Sequence, residues 1–368
     1  MSLSGKKIWI DIEEPKAGIM FKSLFKKFED EKATLMITAR DFDSTFQIMD
    51  DTGFKYIKVG RHGGDSLVGK LEAYSERVQD LLPYVTEFNP DFFVTFGSVE
   101  GVRISFGLQI RSIGFSDEPR SYHVSKLLFP FIDKIITPQC IPQEQYERLH
   151  ADPEKIIRMN ALDEIAWLST YRPNLKNLQE YDIEKGRYVL LRTEPSTASY
   201  LVNQMKPEET LLAKFFPSIY EEFSDYKYFI LVRSEMQEQW LKSQLKDYAD
   251  KKNVIITRYL PHITDLCFYA ALVISGGGTI IRESSLLNIP SLEFFPGETP
   301  PQDLFLIENG FSLEHIKESE EIIKRSIEIL KNGPTSSRFN LSYREKISQF
   351  ENPIDICFNY VEEKLKKQ

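Results

Sequence analysis

The sequence predicts an α/β protein of two domains, each built on a parallel β-sheet, with the two sheets facing a central cleft. Short apolar strands alternate with amphipathic stretches of helical length along most of the 368 residues. Strands that alternate with helices in this way form right-handed βαβ units and parallel sheets. The alternation stops at residues 151–185, which are polar and contain Pro153 and Pro173, and then starts again. This interruption predicts a junction between two domains of the same architecture.

The first domain is predicted to begin with a strand at 7–12, which consists largely of apolar and β-branched residues. A helix is expected next, because apolar residues recur at helical spacing from Phe21 to Phe28, with lysines on the other face. The later predicted strands of this half are 33–38, 56–59, 92–96, 112–115 and 134–137, and its later helices are 42–52 and 67–88. The longest helix is expected to end at Asn89-Pro90-Asp91, because the dipeptide Asn-Pro is typical of a turn.

The second domain repeats the pattern. Its predicted strands are 187–191, 228–232, 253–257, 272–275 and 291–295, and its predicted helices are 208–215, 235–248 and 319–331. Both halves are therefore Rossmann-like, and we place the domains at 5–170 and 171–345. Residues 346–368 are expected to form a C-terminal helix that could pack back on the first domain. Ligands of such sheets bind beyond the carboxyl ends of the strands, so the loops there are the first places to search for a site.

Composition and charge narrow the classes of function. Lys and Arg number 46 and Asp and Glu 55, so the net charge is −9, and no broad attraction to a nucleic-acid backbone is expected. No apolar run approaches the roughly 18 residues that span a bilayer, and the three cysteines are too far apart in sequence to predict a disulfide framework or a metal site. We expect a soluble, reduced, cytoplasmic protein. The apolar run at 127–132 leaves a peripheral membrane contact open, and a homodimer is open as well.

One segment, "ALVISGGGTIIRESSLLNIPSLEFFPG", carries the strongest signal for a ligand. Gly276, Gly277 and Gly278 follow a strand and lead into a helix, whose first N–H groups and positive dipole end suit a phosphate. Thr279 can cap this helix or donate its hydroxyl to the phosphate. Glu283 lies one turn further along the same face, where its carboxylate could accept both hydroxyls of a ribose. The alternative is a tight turn without a ligand, but the strand, the helix and the Glu spacing together favour the phosphate site.

This segment resembles the nucleotide-sugar site of GT-B fold glycosyltransferases and of UDP-N-acetylglucosamine 2-epimerases. In both groups a glycine-rich turn opens a helix that carries a Glu, and Glu283 and Pro290 keep the family's Glu-x6-Pro spacing, with Asn288 where Gly is usual. The beginning of the chain, "IWIDIEEPKAGIMFKSLFKKF", "LMITARDF" and "KVGRHGGDSLVGK", resembles domain-of-unknown-function family 354, whose mostly archaeal members are assigned to the same fold superfamily. Glu13-Glu14-Pro15-Lys16 stands where that family usually has Asn-Pro-Pro-His. The resemblance implies a GT-B-like fold and carries no settled reaction.

Three further residues of the second half are candidates for binding the substrate. Arg192 ends the first strand of the second domain and could clamp a diphosphate, or it could instead pair with Glu194 on the surface. Arg282 lies inside the glycine motif, beside Glu283. His262 precedes the motif and could line the pocket of the nucleotide base.

Four residues of the first half are candidates for acid–base catalysis. His62 lies in a glycine-rich loop after the third strand, and an imidazole suits proton transfer near neutral pH, although backbone hydrogen bonds could equally explain it. Asp117 and Glu118 follow the fifth strand, and Asp11 lies near the end of the first. Each could deprotonate an acceptor hydroxyl or bind a sugar, and acids at such positions also serve as helix caps.

These residues predict a GT-B-like glycosyltransferase that takes a nucleoside-diphosphate sugar, with UDP as the favoured nucleotide, and an acceptor of unknown class. No metal or other cofactor is expected, because helix N–H groups and Arg192 would stabilise the leaving diphosphate. The first alternative is a nucleotide-sugar 2-epimerase, but the epimerases that resemble this chain carry a His-Arg pair near Arg192, which is absent here. The second alternative is a non-catalytic protein that binds nucleotide sugars.

Overall fold

The protein is described from a computed structural model, which covers residues 2–64, 66–195, 205–333 and 339–367. The chain forms two compact units, unit 1 from residues 1–169 together with 350–368, and unit 2 from residues 170–349. Each unit contains one parallel sheet with helices packed on it. The α/β class with two parallel sheets is therefore confirmed.

The sheet of unit 1 has seven strands in the order β3-β2-β1-β4-β5-β6-β7, all parallel. Its strands are β1 (Lys7–Ile12), β2 (Thr34–Asp41), β3 (Ile57–Arg61), β4 (Phe92–Phe96), β5 (Arg111–Phe115), β6 (Lys134–Pro138) and β7 (Ile156–Met159). Its helices are α1 (Pro15–Asp30), α2 (Thr45–Thr52), α3 (Leu67–Phe88), α4 (Val99–Gly107), α5 (Tyr122–Leu128), α6 (Gln143–Glu147) and α7 (Ile165–Leu168), with a 3-10 turn at Pro153–Lys155.

The sheet of unit 2 has six parallel strands in the order β10-β9-β8-β11-β12-β13. Its strands are β8 (Tyr188–Arg192), β9 (Lys227–Leu231), β10 (Val254–Thr257), β11 (Leu272–Ser275), β12 (Ser291–Glu293) and β13 (Leu313–His315). Its helices are α8 (Leu212–Glu222), α9 (Glu235–Leu245), α10 (Ile263–Phe268), α11 (Thr279–Leu286), α12 (Pro301–Glu308), α13 (Ser319–Asn332) and α14 (Tyr343–Ile347), with 3-10 turns at Leu175–Tyr181 and Lys246–Tyr248.

The last helix, α15 (Pro353–Lys366), belongs to unit 1 and packs against α1. The ring of Phe358 lies 5.3 Å from that of Phe28, centroid to centroid. The apolar face of α1 that the sequence predicts, from Phe21 to Phe28, is buried. Burial of these large side chains is the main stabilising contribution at this contact, since each is worth about 1.5–3 kcal/mol. None of the helices in the described residues is long and apolar enough to cross a membrane.

The sequence analysis did not predict the strands β7 and β13. Strand β7 lies within residues 151–185, which the sequence analysis assigned to the junction between the domains, and β13 has only three residues, two of them polar. The helix expected at 208–215 is found at Leu212–Glu222 instead. Its apolar residues continue past Pro217, and the burial of Phe216 and Ile219 extends the helix through that proline.

The order of strands identifies where each sheet can bind a ligand. In unit 1, β1 lies between β2 and β4, and in unit 2, β8 lies between β9 and β11. In each sheet the chain adds strands first on one side of this central strand and then on the other. The loops leaving the two sides diverge at this point, which leaves a crevice at the carboxyl ends of the strands. The loops after β1, β4 and β5 in unit 1, and after β8, β9 and β11 in unit 2, therefore hold the candidate site residues.

Candidate functional site

The glycine turn of unit 2 joins β11 to α11, and its backbone requires glycine at each of the three positions. Gly277 and Gly278 have φ angles of +103° and +95°, a conformation that residues with a side chain rarely adopt. At Gly276 a Cβ atom would lie 2.7 Å from the backbone N of Glu194, so a side chain there has no room. The turn thus brings the start of α11 directly against the segment that follows β8.

Replacing Gly276 with alanine is expected to lower the free energy of unfolding of unit 2 by about 1–3 kcal/mol, since the backbone after β8 must shift to accept the methyl group. The same shift should abolish any stabilisation by a nucleotide that this turn binds. Differential scanning fluorimetry with and without UDP measures both effects. The control is Gly310→Ala, where a Cβ meets nothing within 4 Å. That variant should lose stability through its backbone angle alone and keep the nucleotide response; equal behaviour of the two would contradict the prediction.

The structure places the guanidinium of Arg233 on this turn. This residue follows β9, and its side chain donates from Nε to the carbonyl of Thr193 at 3.0 Å and from Nη2 to that of Gly277 at 3.2 Å. A Cβ atom on Gly278 would lie 3.4 Å from the same Nη2. The guanidinium and the N–H groups at the start of α11 therefore make this edge of the sheet suited to an anion. Sequence reasoning missed Arg233, although it follows its strand much as Arg192 ends β8.

Glu283 is buried on the first turns of α11, within the electrostatic reach of several groups of unit 2. Burial raises the pKa of the Cys267 thiol, and Glu283 raises it further while Arg192 opposes the shift. The pKa of Tyr171 is raised by burial and by its hydrogen bond to Asp265, with a smaller contribution from Glu283. Two predicted binding residues, Glu283 and Arg192, therefore both influence the pKa of the same buried thiol, in opposite directions.

Glu194 has a structural role beside the glycine turn. Its carboxylate accepts hydrogen bonds from the Thr210 hydroxyl and, at 2.8 Å, from the backbone N–H of Leu211. Burial raises the pKa of this carboxyl above its ordinary value, and these hydrogen bonds oppose the shift. Glu194 thus anchors the segment after β8 to the start of α8.

A second anchor fixes the loop that follows β12. His315 bonds through Nε2 to the carbonyl oxygen of Phe295 at 2.8 Å, and its Nδ1 bonds to the Thr299 hydroxyl. The Phe295 side chain lies 3.7 Å from the Cβ position of Gly277. His315 therefore holds this loop beside the glycine turn, and the sequence analysis did not single it out.

The two other predicted binding residues of unit 2 lie at different places. Arg282 Nε donates to Asp303 of α12 at 2.9 Å in a buried ion pair. His262 precedes α10 with a φ of +56° and a side chain that is 43% exposed, and its Nε2 lies 3.6 Å from Glu180. The structure thus places Gly276, Gly277, Gly278 and Thr279 in one turn, whereas Arg282 is engaged in packing.

In unit 1, a buried ion pair stabilises the end of β1. Asp11 accepts hydrogen bonds from Arg77 Nη2 at 2.7 Å and Nη1 at 3.0 Å, and from the hydroxyls of Thr38 and Ser98 at 2.5 Å each. Asp11 and Arg77 have no solvent exposure. Both carboxylate oxygens of Asp11 are therefore already bonded to protein groups, which suits a structural role.

Next to this pair, Lys16 at the start of α1 lies between two carboxylates. Its Nζ is 2.6 Å from Oδ2 of Asp117, which follows β5, and 2.6 Å from Oδ2 of Asp163, which precedes α7. The same ammonium group lies 4.7 Å from the centre of the Phe96 ring, at the end of β4. Parallel strands bring these distant residues together because their carboxyl ends meet at one edge of the sheet.

Two carboxyl groups near Lys16 have pKa values close to neutrality. Burial raises the pKa of Glu14 to about 7, and Asp117 adds to the rise while Lys16 opposes it. Burial raises the pKa of Asp163 to about 7 as well, again with Lys16 opposing and Asp117 adding. Carboxyl groups that titrate near pH 7 can exchange protons in either direction at that pH.

A second pair of carboxyl groups lies beside Arg40 and Arg77 at the same edge. Burial raises the pKa of Glu13 well above its ordinary value, and Glu100 adds to the rise while Arg40 opposes it. For Glu100, burial would raise the pKa, but the hydrogen bond with Glu13 and the two arginines lower it. The pKa values of the two carboxyl groups are therefore shifted in opposite directions, upward for Glu13 and downward for Glu100.

The remaining predicted acid–base candidates lie outside this cluster. His62 packs its ring 4.5 Å from that of Phe42, and its backbone N–H donates to Asp41 at 2.9 Å. Glu118 is partly exposed and accepts from Arg120 Nε at 2.7 Å. Among the four predicted acid–base residues, Asp117 contacts Lys16. The sequence analysis missed Asp163, because it follows the unpredicted strand β7.

The chain matches the family described as Protein of unknown function (DUF354) over residues 6–366. The chain belongs to this family. It is also 26% identical over 360 residues to the uncharacterized protein MJ0665 of Methanocaldococcus jannaschii, which covers 96% of this chain and 97% of that protein. The resemblance stated from the beginning of the sequence is thus confirmed.

Solved structures of similar fold include UDP-N-acetylglucosamine 2-epimerases and a glycosyltransferase. The enzyme of Neisseria meningitidis bound to UDP-GlcNAc has a TM-score of 0.63 at 14% identity, covering 98% of this chain and 100% of that one. The enzyme of Methanocaldococcus jannaschii, in complex with UDP-GlcNAc and UDP, has a TM-score of 0.63 at 16% identity, covering 93% and 98%. The glycosyltransferase of kitacinnamycin has a TM-score of 0.57 at 11% identity, covering 97% and 98%. At these identities the likeness establishes the fold, which is of the GT-B type.

Proposed function

We propose that this member of the DUF354 family is a glycosyltransferase that uses a nucleoside-diphosphate sugar, with UDP as the nucleotide, and binds this donor in unit 2. The observation that carries the proposal is the turn from β11 to α11, where two glycines with positive φ, a helix start and the Arg233 guanidinium come together. Backbone N–H groups and a guanidinium at one point form a site for a diphosphate. Solved proteins of the same fold that contain UDP or UDP-GlcNAc support this choice of ligand.

In the proposed donor complex, Gly277, Gly278 and Thr279 bind the diphosphate through their backbone N–H groups. The carboxylate of Glu283 accepts hydrogen bonds from the ribose hydroxyls. Arg192 supplies a second positive charge beside that of Arg233. During transfer, the bond between the sugar's anomeric carbon and the phosphate oxygen breaks, and the diphosphate leaves with the electron pair. The N–H groups and arginines stabilise the charge that develops on this leaving group.

Unit 1 supplies the proton acceptor in this proposal. The acceptor's hydroxyl oxygen forms the new bond to the anomeric carbon, and its proton passes to a carboxylate. Among the predicted acids, Asp117 fits this role best because Lys16 lies 2.6 Å away and stabilises its ionised form. Asp11 fits less well because its two oxygens already accept hydrogen bonds from Arg77, Thr38 and Ser98.

A second candidate function is nucleotide-sugar 2-epimerisation, favoured by the fold of the epimerase structures and by the carboxyl groups near neutral pKa in unit 1. The two reactions differ in what they exchange and release. A transferase releases UDP when an acceptor is supplied. An epimerase incorporates solvent deuterium at C2 of the sugar without an acceptor. Incubation of UDP-sugars in D2O, followed by mass spectrometry and by measurement of free UDP, separates them, and a protein that only binds the nucleotide gives neither signal.

Replacing Glu283 with glutamine tests the donor site directly. Loss of a carboxylate that accepts ribose hydroxyls is expected to cost about 1.5–3 kcal/mol of binding, or roughly 10- to 100-fold in the UDP dissociation constant. Isothermal titration calorimetry measures this constant, and a thermal-shift screen of UDP, GDP, ADP and dTDP with their sugar conjugates first identifies the nucleotide. A ligand at about 100 times its dissociation constant adds roughly 2.7 kcal/mol of stability, which is several degrees.

The matched control for this variant is Glu308→Gln, which changes an exposed carboxylate at the end of α12. It should bind UDP as the unmodified protein does. An unchanged affinity in the Glu283 variant would refute the ribose assignment. No thermal response of the unmodified protein to any nucleotide would refute the donor site itself.

A further inference from the structure

Lys16, Asp117 and Asp163 form a compact charged group in unit 1, which we name the lysine–carboxyl triad. The two carboxylates contact the same ammonium nitrogen at 2.6 Å each. The side chains are 10%, 15% and 2% exposed, in the order Lys16, Asp117, Asp163. One buried ammonium group thus pairs with two carboxyl groups. A single positive charge fully stabilises the ionised form of only one of them.

The two carboxyl groups of the triad differ in accessibility. Asp117 is the more exposed of the two, so a substrate hydroxyl can approach it more readily than Asp163. Oδ1 of Asp163 is buried and has no hydrogen-bond partner in the described part of the chain. A buried carboxylate oxygen without a donor is costly when the group is ionised, and the cost falls when the group is protonated. The geometry therefore favours an ionised Asp117 and a protonated Asp163.

We propose that Lys16, Asp117 and Asp163 form one proton-transfer centre, in which Asp117 accepts the proton of the acceptor hydroxyl while Lys16 and Asp163 set its basicity. This inference rests on the proposed transferase function and names the residues that set the basicity of its base. Lys16 and Asp163 act as positioning residues, since neither needs to touch the substrate. When Asp117 takes up the proton of the acceptor hydroxyl, Asp163 releases its own proton to solvent, so Lys16 keeps one carboxylate partner. Transfer of the proton from Asp117 to Asp163 then restores the starting state, so one turnover releases one proton and the charge of the triad is unchanged.

Other charged or titratable groups lie near the triad. They are Glu14 beside Lys16 at the start of α1, Glu164 next to Asp163 before α7, and Tyr146 of α6, whose pKa is raised by burial and further by Asp117 and Asp163; Arg40 at the end of β2 acts on Glu14. Burial would lower the pKa of Lys16, but Asp117 and Asp163 raise it, so the ammonium stays charged. Asp163 and Glu14, with pKa values of about 7, give the group a capacity to exchange protons near neutrality. The triad is therefore tuned to the pH range in which a base is needed.

Two variants should change the titration of Asp117 in different ways. Lys16→Met removes the cation, so Asp117 should titrate higher by about one pH unit or more. Asp163→Asn keeps that position neutral at every pH, so the response of the Asp117 side chain to the ionisation of Asp163 near pH 7 should disappear. Titration of the full-length protein by NMR, with 13C-labelled aspartate side chains, detects both effects without any activity. A purely structural role of Lys16 and Asp163 would produce neither effect.

The kinetic readout is the rate of UDP release against pH, with an acceptor present. Lys16→Met should move the acidic limb of kcat to higher pH by about one pH unit or more, with the KM for the donor unchanged. Asp163→Asn should remove the contribution that the ionisation of Asp163 makes to the profile near pH 7. Lys16→Arg keeps the charge and should keep the acidic limb near its original pH. The control is Lys26→Met, which removes an exposed lysine of α1 that pairs with Asp30 and should alter neither readout.

The outcomes separate this inference from the proposed function. If neither variant shifts the titration of Asp117, the triad does not set its basicity and the inference is wrong. If the shifts occur and no acceptor supports UDP release, the charge coupling stands and the transferase function fails. If transfer occurs and the pH dependence of its rate is the same in both variants as in the unmodified protein, the transferase uses another base. Circular dichroism of each variant confirms that it is folded before its titration is compared.

Discussion

Replacing Arg77 with alanine is expected to lower the free energy of unfolding of unit 1 by about 3–5 kcal/mol. The side chain is fully buried, and it donates to Asp11 through both terminal nitrogens and to the carbonyl of Val59 at 2.9 Å. Without Arg77, the carboxylate of Asp11 stays buried next to Glu13 and Glu100 with its opposing charge reduced. The loss is large because a buried charge without its partner costs far more than an exposed one.

The measurement is guanidinium chloride denaturation, with hydrogen exchange and mass spectrometry to report on unit 1 separately from unit 2. The control is Arg61→Ala, at the end of β3, which removes an ion pair with Glu76 whose two side chains are both more than half exposed. This variant should change the stability by at most about 1 kcal/mol. If Arg77→Ala costs no more than Arg61→Ala, the buried network does not stabilise this edge of the sheet.

The same reasoning predicts an effect of similar size in unit 2. Arg282→Ala removes the partner of Asp303, whose side chain is completely buried. The other carboxylate oxygen of Asp303, Oδ2, has no hydrogen-bond partner among the residues that the structure describes. The variant should therefore lose about 3–5 kcal/mol of the stability of unit 2. It should also loosen α11 against α12, and so weaken nucleotide binding indirectly.

Two companion variants make this prediction specific. Arg325→Ala removes a partly exposed arginine that pairs with Glu314 and Glu328, and should cost at most about 1 kcal/mol. The double variant Arg282→Met with Asp303→Leu replaces the buried pair by apolar side chains of similar size, and should recover most of the lost stability. Thermal unfolding with hydrogen exchange follows all three. A nucleotide affinity that falls while stability is unchanged would instead place Arg282 on the ligand.

The carboxyl ends of the strands in each unit carry groups that suit one half of the proposed reaction. The glycine turn of unit 2 presents helix N–H groups and Arg233, and such groups bind an anion. The edge of unit 1 gathers carboxyl groups around Lys16, two of them with pKa values near 7. A donor with a diphosphate and an acceptor that must lose a proton require these two kinds of site.

Local sequence was sufficient to predict the glycine turn and most of the strands. Gly276, Gly277, Gly278, Thr279 and Glu283 lie within eight consecutive positions of one strand–turn–helix unit, so chain geometry alone sets their relation. The central strands were also predictable, because strands that are covered on both faces read as continuous apolar runs. Strands β7 and β13 were not predicted, since β7 lies in the polar segment 151–185 and β13 is only three residues long.

The sequence by itself determined the α/β class, the family resemblance and the presence of a motif that suits a phosphate. Only the tertiary structure decided which charged residues meet. Lys16 contacts Asp117 and Asp163 across 101 and 147 positions of sequence, and Arg77 contacts Asp11 across 66. The physical reason is the parallel sheet, which brings the carboxyl ends of strands together whatever their separation along the chain. Burial at that edge then determines the pKa values, and sequence spacing carries no record of burial.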